Sequence, residues 1–159
     1  GWEFVIAWKN ETVIDKDIVV TQKDIREIQK AKAAIHTGAD LLMRKMDVEE
    51  ADISRLVIAG AFGNYIDPEN ARIIGMYPEI HLDRIEFSGN LAGTGARMTL
   101  INKEIRKKAE NIYKRVKYHE LAADKNFQKE YLDSLKFPHS DMTKYPETFD
   151  LFRRLGQKL

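Results

Sequence analysis

Leu56-Val57-Ile58-Ala59-Gly60-Ala61-Phe62-Gly63-Asn64-Tyr65 is an apolar run that breaks off in two glycines three residues apart. A polar turn follows, then a helix start at Asp67-Pro68-Glu69. Consecutive apolar residues without alternation read as a strand covered on both faces, as in the middle of a parallel sheet. The pattern returns downstream: Ile85-Glu86-Phe87-Ser88 runs into Gly89-Asn90-Leu91-Ala92-Gly93-Thr94-Gly95-Ala96 and a further helix. Two strand–glycine–helix units in succession mark a place where backbone approaches a ligand or another element closely. Glycine lets the chain leave a strand at angles that other residues resist. It also leaves no Cβ between the backbone and a planar ligand. The amides near Thr94, Gly95 and Ala96 stand at a helix start, where an anion or a polar ring edge is favoured. Tight helix–sheet packing without a ligand explains the same glycines, and both readings stay open on the pattern alone.

Upstream, Phe4 to Trp8 and Ile18 to Val20 are short β-type runs that read as a hairpin. Thr21-Gln22-Lys23-Asp24 has the form of a capping box, opening a helix from Gln22 to Met46. Ile25, Ile28, Ile35, Leu42 and Met46 recur at helical spacing and predict its inward face. Downstream, Asp67 and Pro68 start a short helix that Gly75 ends. Asn102 recaps the chain before a helix over Lys103 to Arg115. The basic face there, Lys103, Arg106, Lys107, Lys108, Lys114 and Arg115, reads as solvated and offset by Glu104 and Glu110. Val116 to Leu121 reads as an edge strand. Asp124 to Leu135 reads as a helix with Phe127, Tyr131, Leu132 and Leu135 inward, and Thr148 to Leu155 as a last short helix. Strands separated by helices predict an α/β fold with a mixed, mainly parallel sheet flanked by helices, the hairpin being added to that sheet.

The chain has 159 residues, 43% apolar and 32% charged, an ordinary globular mix. Lys and Arg number 26 against 25 Asp and Glu. That balance gives no reason to expect nucleic acid or a membrane as partner, and no apolar run approaches the length of a span. Cysteine is absent, so this chain holds no disulfide, thiolate nucleophile or cysteine-ligated cluster. A cytoplasmic setting fits. Gly1-Trp2-Glu3-Phe4 begins close to a strand with no lead-in, which suggests a piece of a longer protein. Neither the phosphate-loop pattern nor the dinucleotide glycine pattern occurs. His36, His81, His119 and His139 show no ligand spacing, so no metal site is expected, and no residue stands out as catalytic. Asp67 reads as a helix cap rather than a base.

Several stretches together resemble one family. They are Thr21-Gln22-Lys23-Asp24-Ile25-Arg26-Glu27-Ile28 with Ala31-Lys32-Ala33-Ala34-Ile35, then Ala59-Gly60-Ala61-Phe62-Gly63-Asn64-Tyr65-Ile66-Asp67-Pro68, then Gly89-Asn90 with Ala92-Gly93 and Gly95-Ala96-Arg97. Glu120-Leu121-Ala122 and Phe137-Pro138-His139 complete the set. This combination resembles the C-terminal part of the reductive activators of corrinoid proteins, members of the acetate and sugar kinase, heat-shock protein and actin (ASKHA) superfamily. The resemblance implies use of ATP to help restore cob(II)alamin to the cob(I) state that methyl transfer needs. It implies part of an actin-like, RNase H-like lobe over residues 1–140, with a tail over 141–159. Gly60, Ala61, Phe62, Gly63 and Asn64 would then form the adenosine-contacting strand–turn, beside a second turn carrying Gly89, Asn90, Gly93, Thr94 and Gly95. Mg-ATP would be the ligand of the parent protein, and its phosphate chemistry and iron–sulfur cluster would belong to parts absent from this chain. The implied partner is a corrinoid protein of a methyltransferase system, with a homodimer also admitted. The alternative is an interaction or dimerisation module that docks a corrinoid protein with little nucleotide contact.

Overall fold

The computed structural model of the chain describes residues 2–60 and 65–156. It opens with the expected hairpin, β1 (Glu3–Ala7) against β2 (Ile18–Thr21), antiparallel with Phe4 opposite Val20. A register irregularity lies between Val5 and Ala7. The long connection is tied at its neck, where Lys9 N donates to Asp17 Oδ1 at 2.6 Å.

α1 (Gln22–Met46) starts at the capping box read from the sequence. Thr21 Oγ1 accepts from Asp24 N at 3.2 Å, and Asp24 Oδ2 accepts from Thr21 N at 2.8 Å. Two amides that the first turn leaves without partners are thereby satisfied. The helix ends at Asp47, whose φ is +54°.

β3 (Leu56–Ile58) runs parallel to β4 (Ile85–Phe87), with Val57 opposite Glu86. Between them lies α2 (Pro68–Ile73), where Asp67 accepts from Asn70 N at 2.8 Å and Pro68 occupies the first turn. Beyond β4 come α3 (Leu91–Ile101) and α4 (Lys103–Ile112), joined at Asn102, whose Oδ1 accepts from Glu104 N and Ile105 N. α5 (Phe127–Asp133) and α6 (Pro146–Arg154) complete the described chain. The start of α6 is held from outside: Glu79 accepts from Glu147 N, Thr148 N and Thr148 Oγ1.

The α/β class holds, but several expectations need correction. Among the described residues the strands form two separate pairs, so the hairpin does not extend the parallel sheet. Val116 to Leu121 is no strand; the chain passes from a 3-10 turn at Tyr113–Arg115 to another at Leu121–Ala123. α3 begins at Leu91, not Ala96, which puts Gly93, Thr94 and Gly95 inside its first turns. β3 is not covered on both faces, since Val57 is 41% exposed. In α5 the buried residue is Glu130, with Ser134 buried at its C-cap, while Leu132 is exposed.

The largest difference concerns α1. Its predicted inward stripe is the uncovered one: Ile25, Ile28, Ile35, Leu42 and Met46 are all exposed, Ile35 to 52%. The buried face carries Lys32, Ala33, His36, Thr37 and Leu41. Periodicity shows which residues share a face; it does not show which face these 159 residues cover. The covering elements here are α5 and the segments around Tyr77 and 137–148, and they reach α1 through polar groups. Tyr145 Oη lies 3.1 Å from His36 Nδ1, and Lys32 Nζ donates to Pro138 O. Tyr145 is wholly buried, beside a small apolar core of Ala33, Leu41, Ala71, Tyr77 and Ile80.

Candidate functional site

β3 and β4 point the same way, so the turns that follow them emerge side by side. Gly60 N donates to Gly89 O at 2.6 Å, and Ser88 N donates to Ile58 O at 3.0 Å. The glycine turn after β3 is thus stitched to the glycine turn after β4, at the carboxyl ends of parallel strands. In open α/β sheets ligands settle in that position. Gly60 has a φ of +99°, which side-chain-bearing residues rarely adopt, and a Cβ there would meet no atom of the described residues within 4 Å.

The second turn leads directly into α3. Asn90 Oδ1 accepts from Gly93 N at 2.9 Å and caps that helix. A Cβ on Gly93 would come 2.8 Å from Asn90 Nδ2, so packing against the cap explains this glycine without a ligand. Gly95 differs, because no atom of the described residues lies within 4 Å of its Cβ position and the first turns of α3 are exposed. The structure therefore brings Gly60, Gly89, Asn90, Gly93, Thr94 and Gly95 into one neighbourhood. Ala61, Phe62, Gly63 and Asn64 lie outside the described residues. Asp67, the carboxylate that follows the first glycine turn, is engaged as the α2 cap. With no cysteine in the chain, no residue here fits an iron–sulfur cluster.

A second constellation, on the buried face of α1, escapes the spacing of the histidines. His36 and His139 lie with ring centroids 5.3 Å apart, and Glu130 stands between them. Tyr145 Oη gives its proton to Tyr77 O, so it accepts from His36 Nδ1, 3.1 Å away. That tautomer leaves His36 Nε2 with a lone pair, buried and without a hydrogen-bond partner, 3.8 Å from Glu130 Oε1. His139 Nδ1 accepts from Asp141 N at 2.9 Å, so its Nε2 carries the proton and donates to Glu130 Oε1 at 3.1 Å. Glu130 also accepts from Lys144 Nζ at 2.8 Å and from Arg44 Nη2 at 2.7 Å. Both cations reach on to Asp40: Lys144 through a hydrogen bond, Arg44 through a 2.7 Å charge contact to Oδ2 without hydrogen-bond alignment.

The hydrogen bond from His139, helped by Lys144 and Arg44, holds the Glu130 carboxyl well below the usual range despite burial that opposes it. Burial, with His139 and Lys144 adding, pushes His36 down to about 3, so it is neutral at ordinary pH. Burial lowers Lys32 to about 8. His36, Glu130 and His139 are residue types that bind metals, and their ligand atoms all lie within 4.8 Å of one another. The donor set nonetheless argues for a hydrogen-bonded ion network. Two cations already neutralise Glu130, and the proton on His139 Nε2 occupies the lone pair a metal would take. One signal was present in the sequence: Lys32, His36, Asp40 and Arg44 form a polar stripe at steps of four along a helix otherwise striped with isoleucine.

Residues 1–149 match the family model described as the C-terminal domain of RACo, the ASKHA domain. The chain belongs to this family. Among curated proteins it is 42% identical over 134 residues to the corrinoid activation enzyme RamQ of Eubacterium limosum, covering 84% of this chain and 23% of that protein. It is 28% identical over 127 residues to the [Co(II) methylated amine-specific corrinoid protein] reductase of Methanosarcina barkeri, again 23% of that protein. Among solved structures it resembles a reductive activator for a corrinoid, iron–sulfur protein, with a TM-score of 0.84 at 34% identity. That alignment covers 91% of this chain and 23% of the activator. The chain thus spans about a quarter of the length of each relative. No helix among the described residues is long and apolar enough to cross a membrane.

Proposed function

We propose that this chain supplies the adenosine side of the ATP site in an ATP-dependent reductive activator that returns a corrinoid protein from Co(II) to Co(I). The observation that carries the reading is the junction of the two glycine turns at the ends of β3 and β4, where Gly60 N bonds Gly89 O. Family membership and the names of the relatives give the reaction class. In this reading residues 1–140 contribute the nucleotide-lobe portion. Gly60 to Asn64, Gly89 and Asn90 ahead of α3, and Gly93, Thr94 and Gly95 in its first turns border the base and ribose. The phosphates and magnesium are held by other parts of a longer polypeptide, which also carries the iron–sulfur cluster. The partner is a corrinoid protein of a methyl-transfer system, and the setting is cytoplasmic.

Gly95→Val provides the cleanest test, because its Cβ position is open and its φ is ordinary, so the fold tolerates it. In the longer activator the affinity for a non-hydrolysable ATP analogue, measured by calorimetry, drops at least about tenfold, equivalent to about 1.4 kcal/mol. The melting temperature stays unchanged. Equal affinity in Gly95→Val and the parent removes the site from the glycine turns and favours the docking or dimerisation module instead.

A further inference from the structure

Residues 103–117 carry seven basic and two acidic side chains, and the remaining 144 residues carry 19 basic and 23 acidic. A chain close to neutral as a whole thus gathers its basic charge on α4 and the turn after it. All seven basic side chains are exposed. By helical spacing Lys103, Arg106 and Lys107 share one face of α4, opposite Ile105, Ala109 and Ile112. Lys114, in the 3-10 turn that follows, donates to Asn111 Oδ1 one turn beyond Lys107. Among the described residues α4 makes one ion pair, Lys107 with Glu104 at 3.4 Å, and an exposed pair of that kind neutralises little. Arg106 Nε donates to Thr99 O at 3.1 Å and ties α4 to the end of α3.

Helix stability does not account for these charges. Cations in the first turns oppose the helix dipole, and like charges three and four residues apart repel, as Lys103 does with Arg106 and Lys107. Solubility does not require them either, since acidic residues would serve it there without opposing the dipole. An extended polyanion, RNA or an anionic membrane, would also meet the net acidic remainder of the chain and be repelled by it. A protein face with a few carboxylates meets α4 alone. Encounters in which one protein reduces another are small and transient, and opposite charge gives them speed and orientation without a large apolar interface.

We propose that the basic face of α4 docks an acidic patch on the protein that the longer activator reduces. α4 follows α3 directly at Asn102, and α3 carries Gly93, Thr94 and Gly95 in its first turns, so the docking face and the glycine turns belong to consecutive helices. The inference rests on the reading of the chain as part of an activator of a corrinoid protein, but not on where nucleotide binds.

The test uses the longer activator and its corrinoid protein. Association is followed by stopped flow at low ionic strength and at about 0.15 M, where exposed charges more than about 8 Å apart are screened. Lys103→Glu, Lys107→Glu and Lys114→Glu are combined in one variant, at positions exposed enough for the fold to tolerate them. At low ionic strength this variant associates at least about tenfold more slowly than the parent, dissociates at a similar rate and loses most of the parent's salt dependence. A control with Lys16→Glu, Lys23→Glu and Lys125→Glu, also exposed, changes the net charge equally and keeps the parent's rate within about twofold. Equal association of the parent and the α4 variant overturns the docking face and leaves the activator reading standing. Equal slowing in both variants also overturns it, in favour of net charge alone. A parent that does not bind the corrinoid protein at all removes the activator reading and this inference together. Binding of RNA or anionic vesicles that the α4 variant loses, with corrinoid-protein association unchanged, overturns it in favour of a polyanion. Should the charge-reversed protein fail to fold, Lys→Gln at the same three positions slows association in the same direction by a smaller factor.

Discussion

Glu130 shows how much one buried side chain holds together in this protein. It sits on α5 and accepts from His139, from Lys144 and, across to α1, from Arg44. Removing one member of a buried charge network leaves the others desolvated without a partner. Glu130→Ala is therefore expected to lower stability by about 3–5 kcal/mol, read from urea unfolding. His36 adds a pH dependence. Its folded value is held near 3 against an ordinary 6.5, with Glu130, His139, Lys144, Lys32 and Tyr145 around it. Between those values the unfolded chain binds a proton that folded His36 refuses. Stability consequently falls as pH drops below 6.5, at up to about 1.4 kcal/mol per pH unit. Glu130, whose carboxyl is depressed, adds a loss in the same direction once pH passes below its ordinary 4.5. His36→Gln is expected to flatten the dependence between pH 4.5 and 6.5, whatever it does to stability at pH 7. Urea midpoints across that range check it.

At the scale of elements, local chemistry decides where helices begin and end. The Thr21–Asp24 box, the Asp67 cap with Pro68, and Asn102 between α3 and α4 all occur where the sequence places them. Asn102→Ala leaves the first amides of α4 to water and is expected to cost about 1 kcal/mol in denaturant unfolding. Gly75 carries a heavier constraint. Its φ is +73°, and a Cβ there would stand 2.2 Å from Pro138 O. Left-handed strain and overpacking each cost about 1–3 kcal/mol, so Gly75→Ala should rank among the most damaging single substitutions in a thermal-melt series. The short segments were less legible. Val116 to Leu121 alternates in part like a strand but finds no partner strand among the described residues, and without pairing an extended run has no ladder to hold it.

On the scale of the whole molecule, α1 separates two kinds of surface. Substitutions on its uncovered stripe should hardly matter within these 159 residues: Ile35→Glu is expected to move stability by less than about 0.5 kcal/mol. On the covered face, Ala33→Leu forces a larger side chain into a fully buried position and should cost about 1–3 kcal/mol. Chemical denaturation of both variants side by side measures the contrast. The opposite ranking would mean that the apolar stripe is the true packing face of the isolated chain.

The sequence by itself determined the α/β class, the extent of α1, the caps, and the glycines at 60 and 89 that follow β3 and β4. Each of these depends on residues close together in the chain, where spacing, cap chemistry and φ preference act directly. Only the tertiary structure decided that Gly60 and Gly89 meet, that Gly93 answers to Asn90 while Gly95 stays open, and that Glu130 gathers two helices around His36 and His139. Those contacts join residues far apart in sequence, where periodicity is silent about partners. It also decided which side of α1 is covered. A helical stripe states that burial is favourable; which neighbour supplies it depends on what polypeptide is present to pack there.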